Sequence, residues 1–144
     1  MAALILGAMN IEPIHPNRVA QLWPQIADLL ASALVTGGGE YNADQLKVML
    51  VQGQQALIVV AGPDGAISGA LTVAFENYPN DRIAFVTSVG GKMICDAGAW
   101  QQFEDWARQQ GATKIRGYAH KSVARLWRQK FGVEQRYLIV EKPL

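Results

Sequence analysis

The sequence is short of the residues that usually carry chemistry in small folds. It has one cysteine, Cys95, so no intrachain disulfide framework staples it, and a lone thiol fits a reducing compartment. Its two histidines, His15 and His120, lie far apart in sequence and leave a tetrahedral zinc site without its usual ligands; no metal is expected. Charged residues make up only 17% of the chain and nearly cancel, to a formal net charge of +1. That balance gives no overall pull towards nucleic acid or a membrane surface. The apolar opening MAALILGAM lacks a basic flank and is far shorter than a spanning helix, so it reads as a first strand or a frayed start. No export signal is expected. The expected location is the cytoplasm, or a larger assembly formed there.

What the chain does have is apolar residues, half of the total, spread over 144 positions. That is enough for one sizeable core and argues against disorder. There is no internal repeat, low-complexity segment or linker, so residues 1–144 are read as a single domain. Met9 to Ile14 reads as a strand closed by Pro13 and Pro16. Asn17 is placed to cap a helix over 18–35, whose apolar positions recur at three- and four-residue spacing. Pro24 falls inside it, either in the first turns or at a kink. The run Thr36-Gly37-Gly38-Gly39 breaks that helix, and Asn42 can cap a second over 43–52.

The pattern then turns to strands. Residues 55–61, 66–76 and 82–89 are separated by turns at Gly62-Pro63-Asp64-Gly65 and Asn77–Asp81, which predicts an antiparallel meander. A helix over 99–110 follows, burying Trp100, Phe103 and Trp106 and closed by Gly111. After it come a strand over 114–119, a short helix over 122–130 and a last strand over 136–141. A crossover helix between neighbouring strands makes them parallel. The fold class is therefore α+β.

The stretch FVTSVGGKMICDAGAWQQFEDWARQQG, Phe85 to Gly111, organises the rest. It is a strand, a glycine-containing loop and a helix, and the start of such a helix is a ready seat for an anion such as a pyrophosphate. This element order resembles the GNAT fold of acyl-CoA N-acetyltransferases. Ala124 to Val133, ARLWRQKFGV, is similar to that family's closing pattern of alanine, a helical turn, a tyrosine and glycine-phenylalanine. Ala124, Lys130, Phe131 and Gly132 carry the match. The resemblance implies a mixed central sheet with flanking helices and, where activity is retained, acetyl-CoA as cofactor. Thr87, Ser88 and Val89 would meet the pantetheine arm, and Gly98 and Ala99 the pyrophosphate.

The same resemblance also exposes departures. The family's cofactor loop reads Gln/Arg-x-x-Gly-x-Gly/Ala. With Gly98 as its first glycine, Cys95 replaces the polar lead residue and Trp100 the last small one. With Ala97 and Ala99 in those places, Ile94 is the lead. The family's general-acid tyrosine falls at Arg128 and its asparagine at Lys121. A base would come from Glu76 or His120, the two catalytic candidates, with an amine entering near Gly37 to Tyr41. FVTS before an aromatic-rich helix, with a chain end reading Glu-Lys-x-Leu, resembles GNAT-like proteins of tailed bacteriophages.

The leading expectation is a diverged GNAT-fold protein, phage or prophage encoded, without acetyltransferase activity and acting by binding. Its partner would be a protein such as a phage structural protein, in host cytoplasm or virion. The alternative is an active acyl-CoA-dependent N-acetyltransferase on an amine. A weaker one is a nucleic-acid module using the basic face Lys121, Arg125 and Arg128, spaced at i, i+4 and i+7; no nucleic-acid motif accompanies it.

Overall fold

The computed structural model describes residues 9–35, 40–91 and 96–144. Five strands, β1 (Asn10–Ile14), β2 (Ala56–Ala61), β3 (Ile67–Asn77), β4 (Arg82–Gly91) and β5 (Lys114–Gly117), form one sheet in chain order. The first four are antiparallel, and β4 pairs with β5 in parallel. Helices α1 (Val19–Val35) and α2 (Ala43–Val51) follow β1, α3 (Ala97–Gln109) links β4 to β5, and α4 (Lys121–Phe131) follows β5.

Both faces of the sheet are covered, which is why β2 reads ALIVVA without polar alternation. Leu57 and Val59 pack with Trp23, Ile26, Leu30, Leu46 and Leu50 of α1 and α2. Their neighbours Ile58 and Val60 pack on the other face with Trp100, Phe103 and Trp127 of α3 and α4. The two-residue period of a strand thus feeds two separate cores. Trp100, only 3% exposed, stacks flat on Phe131 at 4.6 Å and lies against Trp127 at 5.2 Å, so α4 is held to α3 by rings. The meander, its two turns and the parallel crossover match the sequence expectation.

Local signals set the helix ends. Asn42 and Gln45 exchange side-chain and backbone hydrogen bonds, both 2.9 Å, in a capping box that starts α2. At the other end of α3, Gly111 takes a φ of +86°. Its amide bonds to Arg108 and the Ala112 amide to Ala107, a left-handed stop that a Cβ would strain. Arg82 closes the same end by donating from Nε to the Gln110 carbonyl at 3.0 Å, with its guanidinium over the Phe75 ring.

Three expectations are corrected. The first cap belongs to His15, whose Nδ1 accepts from the Asn17 amide at 3.2 Å and starts a 3-10 turn, Pro16–Arg18, ahead of α1. Pro16 opens that turn, so the residue before it takes the extended cap conformation and Asn17 is carried inside. Strand β5 stops at Gly117, two residues short of the expected end. The expected last strand over 136–141 does not form: residues 133–144 carry no helix or strand, and from Glu134 onwards they lie exposed. Pro24 is the sixth residue of α1, past the first turn, and is exposed. The glycine run 36–39 lies outside the described residues.

Three predictions follow from this frame. A Cβ on Gly90 would sit 2.2 Å from the Leu29 carbonyl oxygen, so β4 and α1 approach backbone to backbone. Gly90→Ala should cost about 2 kcal/mol or more in denaturant unfolding. By contrast, Gly98 is the second residue of α3 and a Cβ there meets only Asp96 Oδ1 at 3.4 Å, so Gly98→Ala should be neutral or stabilise by up to about 1 kcal/mol. Asp81 accepts from Lys114 Nζ and Thr113 Oγ1, both at 2.9 Å, and these bonds hold its carboxyl below the ordinary range. A depressed carboxylate pKa adds stability above the unfolded-state value of about 3.9 and loses it as pH falls through the folded value. The thermal-stability gap between wild type and Asp81→Asn should therefore be constant at neutral and mildly acid pH and close below about pH 4.

Candidate functional site

The site begins where the parallel ladder ends. Only Ile83–Val86 of β4 pair with β5, and the last pair is Val86 with Gly117. Beyond it β4 runs on to Gly91 against β3 alone, while the chain after Gly117 swings away into α4. The outer backbone edge of β4 from Thr87 onwards is thereby released from the ladder. A cleft of about 510 Å³ opens along it, with Thr87 to Gly91 on its floor. Tyr118, His120 and Trp127 line one side, and Leu29, Glu40 and Tyr41 another. That volume is in the range of small-molecule pockets.

A β-bulge shapes the floor. Thr72 of β3 faces Ser88, yet Val73 faces Val86, so Thr87 is the extra residue. A bulge of this kind re-aims side chains locally, and bulges are enriched beside active sites. Here Thr72 reaches both Thr87 Oγ1, at 2.7 Å, and Ser88 Oγ. The Thr87 hydroxyl donates to Gln55 Oε1 at 2.5 Å. Since each hydroxyl has one proton, Thr87 must accept from Thr72, and Thr72 in turn from Ser88. The direction of the chain, Ser88 to Thr72 to Thr87 to Gln55, follows from that count. No buried side-chain polar atom among the described residues lacks a partner.

The two candidate bases line this one cleft. Glu76, near the end of β3, accepts from the Tyr78 hydroxyl at 3.0 Å; that bond and the carboxylate's charge push the Tyr78 phenol above its ordinary range. His120 stands at the head of α4 in extended conformation and makes no side-chain capping bond. Thr87, Ser88 and Val89 also line the cleft, whereas Gly98 and Ala99 do not. Tyr118 meets the Phe85 ring edge-on at 4.8 Å. Gln55, Thr72 and Tyr118 were not singled out from the sequence. Thr72 sits within an apolar run, and its pairing with Thr87 depends on a bulge that no local motif announces.

The helix start that would seat a pyrophosphate is already capped. Asp96 accepts from the Ala99 amide at 2.8 Å, placing a carboxylate at the positive end of α3. The pattern Asp-Ala-Gly-Ala ahead of an apolar helix was a legible cap signal. Ala99 is buried in the sheet-facing core, and Gly98 is exposed beside the cap. Trp100 points into that core, so its indole does not enter the cleft, contrary to one alignment of the loop. Lys92, Met93, Ile94 and Cys95 lie outside the described residues. Backbone and hydroxyl groups at Thr87–Gly90 suit an extended polar arm, but the α3 N-terminus as described does not suit a pyrophosphate. Lys121, Arg125 and Arg128 are all exposed on α4. Among the described residues there is no cluster of three His, Cys, Asp or Glu side chains that could hold a metal ion, and no helix is long and apolar enough to cross a membrane.

Comparison with known proteins gives likeness in structure alone. No protein-family model matches the chain, and no curated sequence does. Among solved structures, an aminoglycoside acetyltransferase from an uncultured soil metagenomic sample, in complex with sisomicin, superposes with a TM-score of 0.69 at 14% identity, over 94% of this chain and 96% of that one. A ribosomal-protein-alanine N-acetyltransferase from Brucella melitensis biovar Abortus 2308 gives 0.67 at 17%, over 94% and 99%. The aminoglycoside N-acetyltransferase AAC(6')-Iy in complex with CoA gives 0.66 at 11%, over 99% of both chains. With a five-stranded mixed sheet and four helices among the described residues, and a cleft at the end of the parallel ladder, the chain has the GNAT acyl-CoA N-acyltransferase fold.

Proposed function

We propose that this protein is a diverged GNAT-fold protein that works by binding and does not transfer acetyl groups from acetyl-CoA. The observation that carries the reading is Asp96. Its carboxylate caps the first turn of α3 at 2.8 Å and sets a negative charge where a pyrophosphate would need the helix dipole. The departures in the loop sequence support the same reading, with no Gln or Arg in the lead position and Arg128 in place of an acid tyrosine. The bound partner is proposed to be a protein, and the FVTS strand with its aromatic-rich helix supports a phage or prophage origin and a role in virion assembly. Under that reading the protein resides in host cytoplasm or in the particle.

A second reading, an active N-acyltransferase, draws on a different observation. The cleft is open, the bulged β4 edge lines it, and Glu76 and His120 both face into it. In that case one of them would take a proton from an amine, directly or through water, with the released β4 edge holding the acyl arm by backbone groups. The residues fit that arm better than they fit the anion.

Calorimetric titration with coenzyme A and acetyl-CoA separates the two. The expected result is no heat at millimolar ligand, and micromolar binding by the wild type would overturn the binding-only reading. Asp96→Asn keeps a capping oxygen and removes the charge, so any residual affinity should rise about two- to fivefold, the scale of a charge at a helix N-terminus. Thiol release from acetyl-CoA with a panel of amines, abolished by Glu76→Gln or His120→Ala, would establish the enzyme instead.

A further inference from the structure

The hydroxyl chain under the cleft ends on a side chain with one good partner and one poor one. Gln55, just ahead of β2, is only 7% exposed and lines the cleft. Its Oε1 accepts from the Thr87 hydroxyl at 2.5 Å, while its Nε2 meets the Met49 sulfur at 3.8 Å. A thioether has no proton to give, so the amide oxygen cannot face it; Nε2 lies on the Met49 side and Oε1 on the Thr87 side. The carboxamide is thereby clamped by Ser88, Thr72 and Thr87 in one orientation, with two N–H groups sharing one weak acceptor. A buried donor so poorly matched is stabilised by any better acceptor that reaches it.

Strand register sets a hollow beside this donor. Ala56 pairs with Val73, which puts Gln55 across from Ala74, and Ala74 pairs with Phe85. The three form one row across the sheet, and all three line the cleft. Between the carboxamide and the ring stands only a methyl group. Strands β2 and β4 are two strand spacings apart, about 10 Å, which leaves room over Ala74 for one flat group. The Phe85 ring is steadied on its far side by Tyr118, edge-on at 4.8 Å.

We propose that this hollow is a binding subsite for an uncharged carbonyl group, as in an amide. Its oxygen accepts from Gln55 Nε2, and the flat or apolar part beside it lies over Ala74 against Phe85. The surroundings select this class. Gln55 offers the hollow a donor and no acceptor, because Oε1 is taken by Thr87. A carbonyl needs only a donor, whereas a hydroxyl or an amine in the same place would have protons to bury beside Ala74, Phe85 and Met49. An anion is disfavoured too: among the described residues no lysine or arginine lines the cleft, while Glu40 and Glu76 do. The subsite goes beyond the binding-only reading and does not require it, since it is built on β2, β3 and β4 and not on the start of α3.

The test uses the full chain and N-methylbenzamide as probe, one ring bearing one amide carbonyl. Nitrogen-15 correlation spectra should show a saturable shift of the Gln55 Nε2 protons, the pair of signals that is lost in Gln55→Met. Benzoate, which adds the charge, and N-methylbenzylamine, which lacks the carbonyl, should each bind about tenfold more weakly or worse. Gln55→Met should weaken N-methylbenzamide about three- to tenfold, the scale of one hydrogen bond. Ala74→Val keeps the donor and fills the hollow, so it should weaken the probe at least as much. Valine suits a strand, and this variant decides the matter even where Gln55→Met fails to fold. Thr87→Val should move the Gln55 signals in the free protein, and a spectrum in which they stay put would overturn the clamp. Gln55 signals that the probe leaves unmoved, equal affinity for the three probes, or affinity unchanged in Ala74→Val would each overturn the subsite. The probe has neither phosphate nor thioester, so this result and the coenzyme A titration can fail separately.

Discussion

The rest of the molecule depends on how short the parallel ladder is. Four residues of β4 pair with four of β5, and the ladder stops at Val86 and Gly117. A longer β5 would cover the outer edge of β4 and leave no cleft. Gly117 marks the stop: its backbone sits close against Val86 and the ring of Trp127, where a Cβ would come within 3.5 Å of both the Val86 carbonyl oxygen and its side chain. The chain then turns into α4, and the buried Trp127 fixes that helix over the sheet face. One short strand therefore produces both the site and, among the described residues, an outer edge without a strand neighbour.

Aromatic packing holds that geometry. Trp100, Phe103, Trp127 and Phe131 form a continuous ring cluster, with centroid distances from 4.6 to 5.6 Å. Each such pair contributes about 0.5–1.5 kcal/mol beyond area burial. That is the scale of a large share of net folding stability, which is only about 5–15 kcal/mol. The cluster joins α4, which has few other buried residues, to α3, which lies across the whole sheet. Gln102 of α3 reaches the far side, accepting from the Ile11 amide at 2.9 Å and donating to the Met9 carbonyl at 3.0 Å. Its side-chain amide thus stands in for a strand neighbour along β1 and blunts that edge.

How much of this was legible in the sequence depends on the range of the interaction. Caps, turns and periodic faces are local, and they were readable: Asn42 with Gln45, Asp64-Gly65 and Gly111 each act within a few residues. The failures involve partners far along the chain. Arg136 to Glu141 has every local property of a strand, yet pairing is a property of two segments, and among the described residues no second segment is paired to it. The bulge at Thr87 is set by registry with Thr72, fifteen residues away, so a strand with two small polar residues gave no sign of it. Trp100 and Phe103, by contrast, were readable as an inward face from helical spacing alone, and both are buried there. The candidate bases Glu76 and His120 came from where the family resemblance puts a base, at the ends of two strands, and the fold brings both to one cleft.

Under the binding-only reading proposed above, Asp96 is what lets the fold persist without its usual chemistry. The start of α3 has free amides and a positive dipole end, and two kinds of partner can satisfy them. A bound anion does so only when the ligand is present. A capping carboxylate does so in every folded molecule, stabilising the helix by about 0.5–2 kcal/mol. The two compete for the same amides, and the cap adds a like charge against the anion. A chain that gains the cap gains stability whether or not any ligand exists, and weakens its affinity for the anion in the same step. The cleft is not affected, because its floor is made by strand pairing and hydroxyl bonds on β3 and β4 rather than by α3. The anion seat and the cleft are thus physically separable, and a protein can lose the first while the second stays open to another ligand.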